Sequence, residues 1–321
     1  MKKVISLLLV SILSFCAFAQ NGEYDVIVYG GTSSGVIAAY SAAKEGLNVA
    51  LIERTAHVGG LTTSGIGNVD IGWASTVGGY TADFLRAVGT HYGTPHRMQI
   101  ALECKIAEDV FNDWLSNEGV EVLYHSRLRE KDGVEVVDGK IVAIILEDGR
   151  RLEGKVFIDS SYEGDLMAQA GVSYLTGREG ADEFGESSAG ICEYRHFRNY
   201  TSEEMVVIRK LAAKYPLDIK FEERMPKGQA DGKTQAYVYR LTVTDDPENL
   251  VPFRKPEGYD PDRYTNTLYR IQKRGLTRFD QVVTLYKLPN RKYDLNHMDL
   301  INASWDYPEG SYQMREAIDL Y

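Results

Sequence analysis

The sequence predicts an α/β fold: a parallel sheet begun by a βαβ unit, a β-meander within it, and a second, α+β region inserted after it. Three observations predict this. Residues 24–29 (YDVIVY) form a short apolar run ending at Gly30-Gly31, residues 34–44 are an alanine-rich helical stretch, and residues 48–53 (NVALIE) are a second apolar run. Strand, glycine turn, helix and strand within about 30 residues make a βαβ unit, whose crossover leaves its strands parallel. Two Asp-Gly pairs, Asp138-Gly139 and Asp148-Gly149, separate the β-rich segments 133–137, 140–146 and 151–153, which is a strong hairpin signal. From residue 178 the pattern changes to a helical stretch at 203–215, an alternating strand at 234–244 and a loop punctuated by Pro247, Pro252, Pro256 and Pro261.

At the N-terminus, Lys2 and Lys3 precede an apolar run that continues to Ala17-Phe18-Ala19. A basic start, a short apolar core and a small-x-small end predict a secretory signal cut between Ala19 and Gln20. The run is shorter than the ~20 apolar residues of a bilayer span, so a periplasmic or secreted protein without a membrane span after cleavage is expected. The 321 residues are 44% hydrophobic and 26% charged, with 30 glycines and nine prolines. That is ordinary globular composition and excludes collagen-like, coiled-coil and wholly disordered classes. A net charge of −10, more negative once the two signal lysines are gone, argues against nucleic acid as a partner. Beyond the signal only Cys104 and Cys192 remain, without CxxC spacing, and the six histidines show no HExxH pattern. No metal site is expected, and the two cysteines form either one disulfide or two separate thiols.

The remaining elements follow in order. Residues 59–79 are rich in Gly, Thr and Ser, so their backbone can approach a ligand closely. Ile106, Val110, Trp114 and Leu115 recur at helical spacing within 102–117, while 121–124 and 156–159 read as buried strands. A final helix is expected to start near Pro308.

The chemistry concentrates in Gly30-Gly31-Thr32-Ser33-Ser34-Gly35. In a dinucleotide-binding turn the first glycine allows the tight bend and the third lets helix and strand pack closely. The middle glycine clears space for a pyrophosphate on the helix N-terminus. Thr32 replaces the middle glycine here, yet a strand precedes, a helix follows, and Glu53 stands at a strand end 18 residues past Gly35, placed to accept bonds from ribose hydroxyls.

With HVGGLTTSGIGNVD after it, this βαβ segment resembles the FAD-dependent oxidoreductases related to the flavoprotein subunit of heterodisulfide reductase. FIDSSYEGDLMAQAGVSYLTGRE, YVYRLTVTDDPENLVPFRKPEGYD and LPNRKYDLNHMDLINASWDYPEGSY extend the likeness to secreted bacterial relatives over nearly the whole chain after the signal. The resemblance implies a Rossmann-like FAD/NAD(P)-binding domain with FAD as cofactor. It implies FAD contacts at Gly30, Gly31, Thr32, Ser33, Ser34, Gly35, Glu53 and Arg54, and along Gly59, Gly60, Leu61, Thr62, Thr63, Ser64 and Gly65. Asp159, Ser160 and Asp165 lie near the same cofactor in this reading, and Tyr162 and Glu163 join them as catalytic candidates. Glu163 and Asp165 also read as ordinary first-turn acids stabilising a helix. The iron–sulfur relays of heterodisulfide reductase need cysteine clusters that this sequence lacks. After the signal at 1–19, the resemblance further implies the N-terminal part of a flavin domain at 20–177 and an incomplete substrate-domain insertion at 178–321.

Candidate substrate residues in the second region are Arg178, Arg240, Asn290, Asp294, Asn296 and His297. Arg240, in the alternating strand, is placed to hold an anionic or polyhydroxy substrate or else lies on the surface. Residues 290–297 (NRKYDLNH) read as a polar loop, with His297 a possible general base. His57 admits a covalent flavin link or a structural role. The sequence thus points to an exported FAD-dependent oxidoreductase acting with a small polar, carbohydrate-like substrate and an unidentified electron acceptor. The alternatives are an NAD(P)-linked oxidoreductase and a noncatalytic flavin-fold binding protein.

Overall fold

The computed structural model describes residues 22–191, 202–214, 227–235, 239–296 and 304–319. The segment 1–19 expected to be a signal, Cys192 and His297 lie outside them. The βαβ unit is present as β1 (Gly22–Tyr29), α1 (Ser33–Lys44) and β2 (Val49–Ile52). After the glycine-rich passage come α2 (Gly79–His91), α3 (Cys104–Asn117) and β3 (Glu121–Leu123). The meander is β4 (Val134–Val137), β5 (Lys140–Ile145) and β6 (Arg151–Asp159), followed by the short α4 (Asp165–Gln169). The second region contains α5 (Ser202–Lys214), β7 (Leu241–Thr244), α6 (Thr265–Arg274), β8 (Thr284–Lys287), β9 (Lys292–Asn296) and α7 (Tyr312–Asp319).

The first sheet has the order β3-β2-β1-β6-β5-β4. β1 pairs in parallel with both β2 and β6, β2 with β3, and the meander strands β4 and β5 add antiparallel edges. Alternation along β1 sorts its side chains to two faces. Val26 and Val28 join Val36, Ala39, Leu85 and Phe111 under α1, α2 and α3, where Phe84 stacks on Phe111 with ring centroids 4.3 Å apart. Ile27 and Tyr29 face the other way, onto Leu128, Ile144, Leu146, Leu152 and Leu166. A strand covered on both faces needs the continuous apolar run seen in the sequence.

Three expectations require correction. Segments 151–153 and 156–159 are one strand, β6. Gly154 carries it past β1, where a Cβ would stand 3.0 Å from the Ile27 side chain. Among the described residues of the alternating segment 234–244, strand runs only over β7, with Arg240 immediately before it; residues 236–238 lie outside the described residues. Residues 290–296 are not a loop. Asn290 and Arg291 form a two-residue turn, both with φ of +55°, and β9 follows as the central strand of the sheet β7-β9-β8. Left-handed residues at both turn positions match the twist of a hairpin. The Asp138-Gly139 turn between β4 and β5 has the same two-residue left-handed form, as its sequence predicts.

The last described segment returns to the first sheet. Tyr312 donates its hydroxyl proton to Leu128 O at 2.9 Å, and Arg127 lies over the Tyr312 ring while pairing with Glu316. The second sheet is tied to α3 by the buried Glu103, which accepts from Tyr92 Oη at 2.9 Å, from Asn290 Nδ2 at 2.7 Å and from Lys292.

Candidate functional site

In this sheet order the chain leaves β1 toward β2 on one side and later returns beside it as β6. A crevice therefore opens at the C-terminal ends of β1 and β6. Gly30 bends the chain there with φ of +98°, and its amide bonds Ile52 O at 2.9 Å. A Cβ on Gly35 would stand 1.9 Å from Gly30 O, so only glycine lets α1 start this close to the turn.

Thr32 caps α1. Its Oγ1 accepts from Gly35 N at 3.2 Å and donates to Ser160 O at 2.7 Å, which draws the side chain toward β6. The replacement of the middle glycine is thereby absorbed as a buried cap. Val36 N bonds Thr32 O at 2.9 Å, whereas the amides of Ser33 and Ser34 belong to the helix end, where no carbonyl of the helix precedes them. They and the helix dipole offer positive character to an anion. Ser33 Oγ donates to Gly59 O at 2.7 Å and lies 2.8 Å from Thr62 Oγ1. Gly59 N bonds Gly31 O at 2.6 Å. The 59–65 loop is thus stitched directly to the glycine turn, and Thr63 Oγ1 closes it by donating to Val58 O at 2.6 Å. Ser64 N reaches back to Leu61 O at 3.3 Å, and Leu61 itself is half-exposed.

Glu53 is buried just beyond β2, with Oε2 accepting from Gly31 N at 2.9 Å and Oε1 from Thr55 N at 2.7 Å. Arg54 follows it, 3.9 Å from Asp319. Burial works against its charge, but Tyr307, Glu163, Asp319 and Glu53 outweigh that and raise its pKa.

At the end of β6, Asp159 organises the next turn. Its carboxylate accepts from Ser161 N and Oγ and from Met167 N, while Ser160 N bonds Tyr29 O at 2.7 Å. Tyr162, half exposed, lies across the 59–65 loop and its Oη accepts from Leu61 N at 2.9 Å. Burial of the phenol raises its pKa. Burial also raises the pKa of Glu163, against the opposing charges of Arg54 and Arg315. Asp165 is bound by both terminal nitrogens of Arg315, at 2.6 and 2.8 Å.

The structure therefore gathers 30–35, 53–54, 59–65 and 159–163 around one crevice. Arg240 reaches the far end of the loop: a Cβ on Gly65 would stand 2.4 Å from Arg240 O. Its guanidinium is held by the buried Asp294 through Nε at 3.0 Å and Nη2 at 2.6 Å. Arg178 forms a separate bidentate pair with Asp231, and Asn290 is spent on Glu103. Asn296 ends β9. His57 Nδ1 lies 2.9 Å from Glu108 Oε1, with the ring exposed, and Cys104 is a free thiol. Among the described residues no cluster of His, Cys, Asp and Glu could hold a metal, and no helix is long and apolar enough to cross a membrane. Sequence reasoning missed Arg315, Tyr307 and Asp319, which come to the site from the last segment and carry no local motif.

Sheet order, glycine turn and capped helix define a Rossmann-like dinucleotide-binding fold. Over residues 25–321 the chain matches the FAD dependent oxidoreductase family, and it belongs to that family. No curated protein matches it. Among solved structures it is similar to L-proline dehydrogenase from P. horikoshii (12% identity, 50% of this chain and 59% of that one, TM-score 0.37). It is also similar to L-amino acid deaminase from Proteus myxofaciens (13%, 49% and 50%, TM-score 0.37). A third is the geranylgeranyl bacteriochlorophyll reductase-like protein from Thermoplasma acidophilum (18%, 48% and 44%, TM-score 0.33). The chain spans about half the length of these structures. The family's cofactor is FAD, and the crevice fits it: glycine at 30 and 35 lets the strand ends and the helix start converge, leaving backbone donors and a buried carboxylate around one opening.

Proposed function

We propose that the chain is an exported oxidoreductase that passes hydride or electrons between FAD and a small polar, carbohydrate-like substrate. We place it in the secreted branch related to the heterodisulfide reductase flavoprotein, with electrons leaving to a separate acceptor. The observation that carries this reading is the convergence of the Gly30 turn, the α1 N-terminus, buried Glu53 and the 59–65 loop on one crevice in a member of this family.

FAD, when bound, supplies a two-electron carrier that accepts hydride from carbon. The Ser33 and Ser34 amides would face its diphosphate, and Glu53 its ribose hydroxyls. Gly60 to Gly65 would run along the remainder, with Asp159 and Ser160 closing the opposite wall. The Tyr162 phenol is protonated at neutral pH, as an ordinary tyrosine is, and burial raises its pKa further. Since its oxygen accepts from Leu61 N, its own proton is available to donate to a substrate oxygen. Glu163, with its pKa raised by burial, would take or return a substrate hydroxyl proton closer to neutrality than a solvated glutamate does. Arg240, oriented by Asp294, keeps Nη1 for an anionic or polyhydroxy substrate. Asp165 acts on this site through Arg315 rather than by direct contact.

The visible spectrum of the purified chain tests the reading. Flavin bands bleached by substrate under anaerobic conditions support it. A colourless chain that instead binds NAD(P) establishes the nicotinamide alternative, and one that binds neither establishes a noncatalytic protein. Export is checked by finding Gln20 as the N-terminal residue of protein recovered outside the cytoplasm.

A further inference from the structure

Arg315 lies on α7, 8% exposed. A guanidinium taken out of water is destabilising unless its donors are paired. Here Nη1 and Nη2 fork onto Asp165 and Nε donates to Tyr307 O at 3.1 Å. Asp165 opens α4 immediately after Gly164, whose φ of +75° makes a left-handed pivot without a side-chain cap. The turn between β6 and α4 is therefore fixed at its start by Asp159 and at its end by the Arg315–Asp165 pair. Tyr162 and Glu163 stand between these two fixed points.

The clasp joins residues 150 positions apart, so it exists only while α7 is docked. Docking is supplied by Tyr312 Oη on Leu128 O, by Glu130 accepting from Tyr312 N at 2.8 Å, and by Arg127 on Glu316. Groups from every neighbouring element face Glu163: Arg54 beyond β2, Tyr29 on β1, Tyr162 in its own turn, Asp165 on α4, Tyr307 before α7 and Arg315 on α7.

We infer that Arg315 is a positioning residue for Tyr162 and Glu163, holding their turn through its bidentate pair with Asp165. This rests on the reading of that turn as one wall of the flavin site. Arg315 and Asp165 carry opposite charges toward Glu163, the arginine favouring its ionised form and the aspartate opposing it. Removing either partner breaks the same clasp, yet the electrostatic effects on Glu163 have opposite signs.

The test uses the full chain labelled with carboxyl carbon-13 glutamate, the Glu163 signal being assigned by its loss in Glu163→Gln. Titration is followed without flavin, and affinity for added FAD is measured separately by fluorescence quenching. Arg315→Gln is expected to move the Glu163 titration to higher pH and Asp165→Asn to lower pH, while each weakens FAD binding about tenfold, the scale of one charge-assisted contact. Arg315→Lys, which keeps the charge but not the fork, returns the titration toward wild type and leaves FAD binding weak. Titrations that stay put in both variants, or an FAD affinity that neither variant weakens, overturn the inference even if both variants melt earlier. A wild-type chain that takes up no FAD refutes the flavin reading instead, and the titrations then decide Arg315's hold on the turn alone.

Discussion

Gly60 and Tyr162 form a contact whose energetics can be worked out from the geometry. Gly60 sits at φ +55°, and a Cβ there would stand 2.3 Å from Tyr162 Oη, with Thr32 Cα and Tyr162 Cζ both at 3.1 Å. Gly60→Ala incurs a left-handed backbone cost of about 1–2 kcal/mol. Displacing the phenol adds the Leu61 bond, about 0.5–1.5 kcal/mol, and residual crowding at the low end of the roughly 1–3 kcal/mol of overpacking, because the half-exposed ring can swing outward. Gly60→Ala should therefore destabilise by about 2.5–4.5 kcal/mol, and Tyr162→Phe by about 0.5–1.5 kcal/mol. In the double variant the hydroxyl is already gone, so neither the clash with it nor the lost bond is counted twice. The pair should fall about 1–2 kcal/mol short of additivity. Urea unfolding of the four proteins, followed by far-ultraviolet circular dichroism, measures the coupling. Additivity within about 0.5 kcal/mol would show that Tyr162 does not lie over the 59–65 loop.

Glu53→Gln removes the charge that holds Gly31 N and Thr55 N; a fluorescence titration should show FAD binding weakened by at least about tenfold, since bonds to a charged group are worth about 1.5–3 kcal/mol. Glu163→Gln tests the titration sign. With its folded pKa raised by burial, Glu163 binds its proton more tightly in the folded than in the unfolded chain. Wild-type stability then falls as pH rises from the ordinary glutamate range through the raised folded value. The melting temperature of Glu163→Gln relative to wild type should rise across that window and level off above it, and a flat difference would show that the Glu163 carboxyl is not desolvated. Lys292→Met strands Glu103 with only Tyr92 and Asn290, and thermal melts should show a loss of up to about 3–5 kcal/mol, the scale of a broken buried pair. Burial pushes the Glu103 pKa up, but its bonds to Lys292, Tyr92 and Asn290 outweigh that and hold it down, so that loss should shrink as pH falls through the carboxylate range.

The βαβ unit and the meander were legible because their signals are local. A continuous apolar run gives way at Gly30 to a helical stretch, and Asp138-Gly139 supplies the left-handed residues that a hairpin turn needs. β9 was not legible, since its polar Asp294 is buried only because Arg240, 54 positions away, neutralises it. α2 went unread behind Gly78-Gly79, although Ala82, Leu85 and Val88, all buried, repeat at helical spacing. Within the site the glycine turn, Glu53 and the 59–65 loop follow from sequence. The occupation of Asp165 by Arg315 does not, because an ion pair across 150 residues leaves no spacing to read.

The central claim, that the crevice beside Gly30 holds FAD, is tested most directly by the flavin content of two purified full-length proteins, wild type and Gly35→Ala. An added Cβ at position 35 meets backbone, Gly30 O at 1.9 Å, rather than a side chain able to move aside. Stoichiometric FAD is expected in wild type and little or none in Gly35→Ala, with folded far-ultraviolet spectra for both. A colourless wild type that takes up no FAD, or a Gly35→Ala protein that holds it equally well, would contradict it.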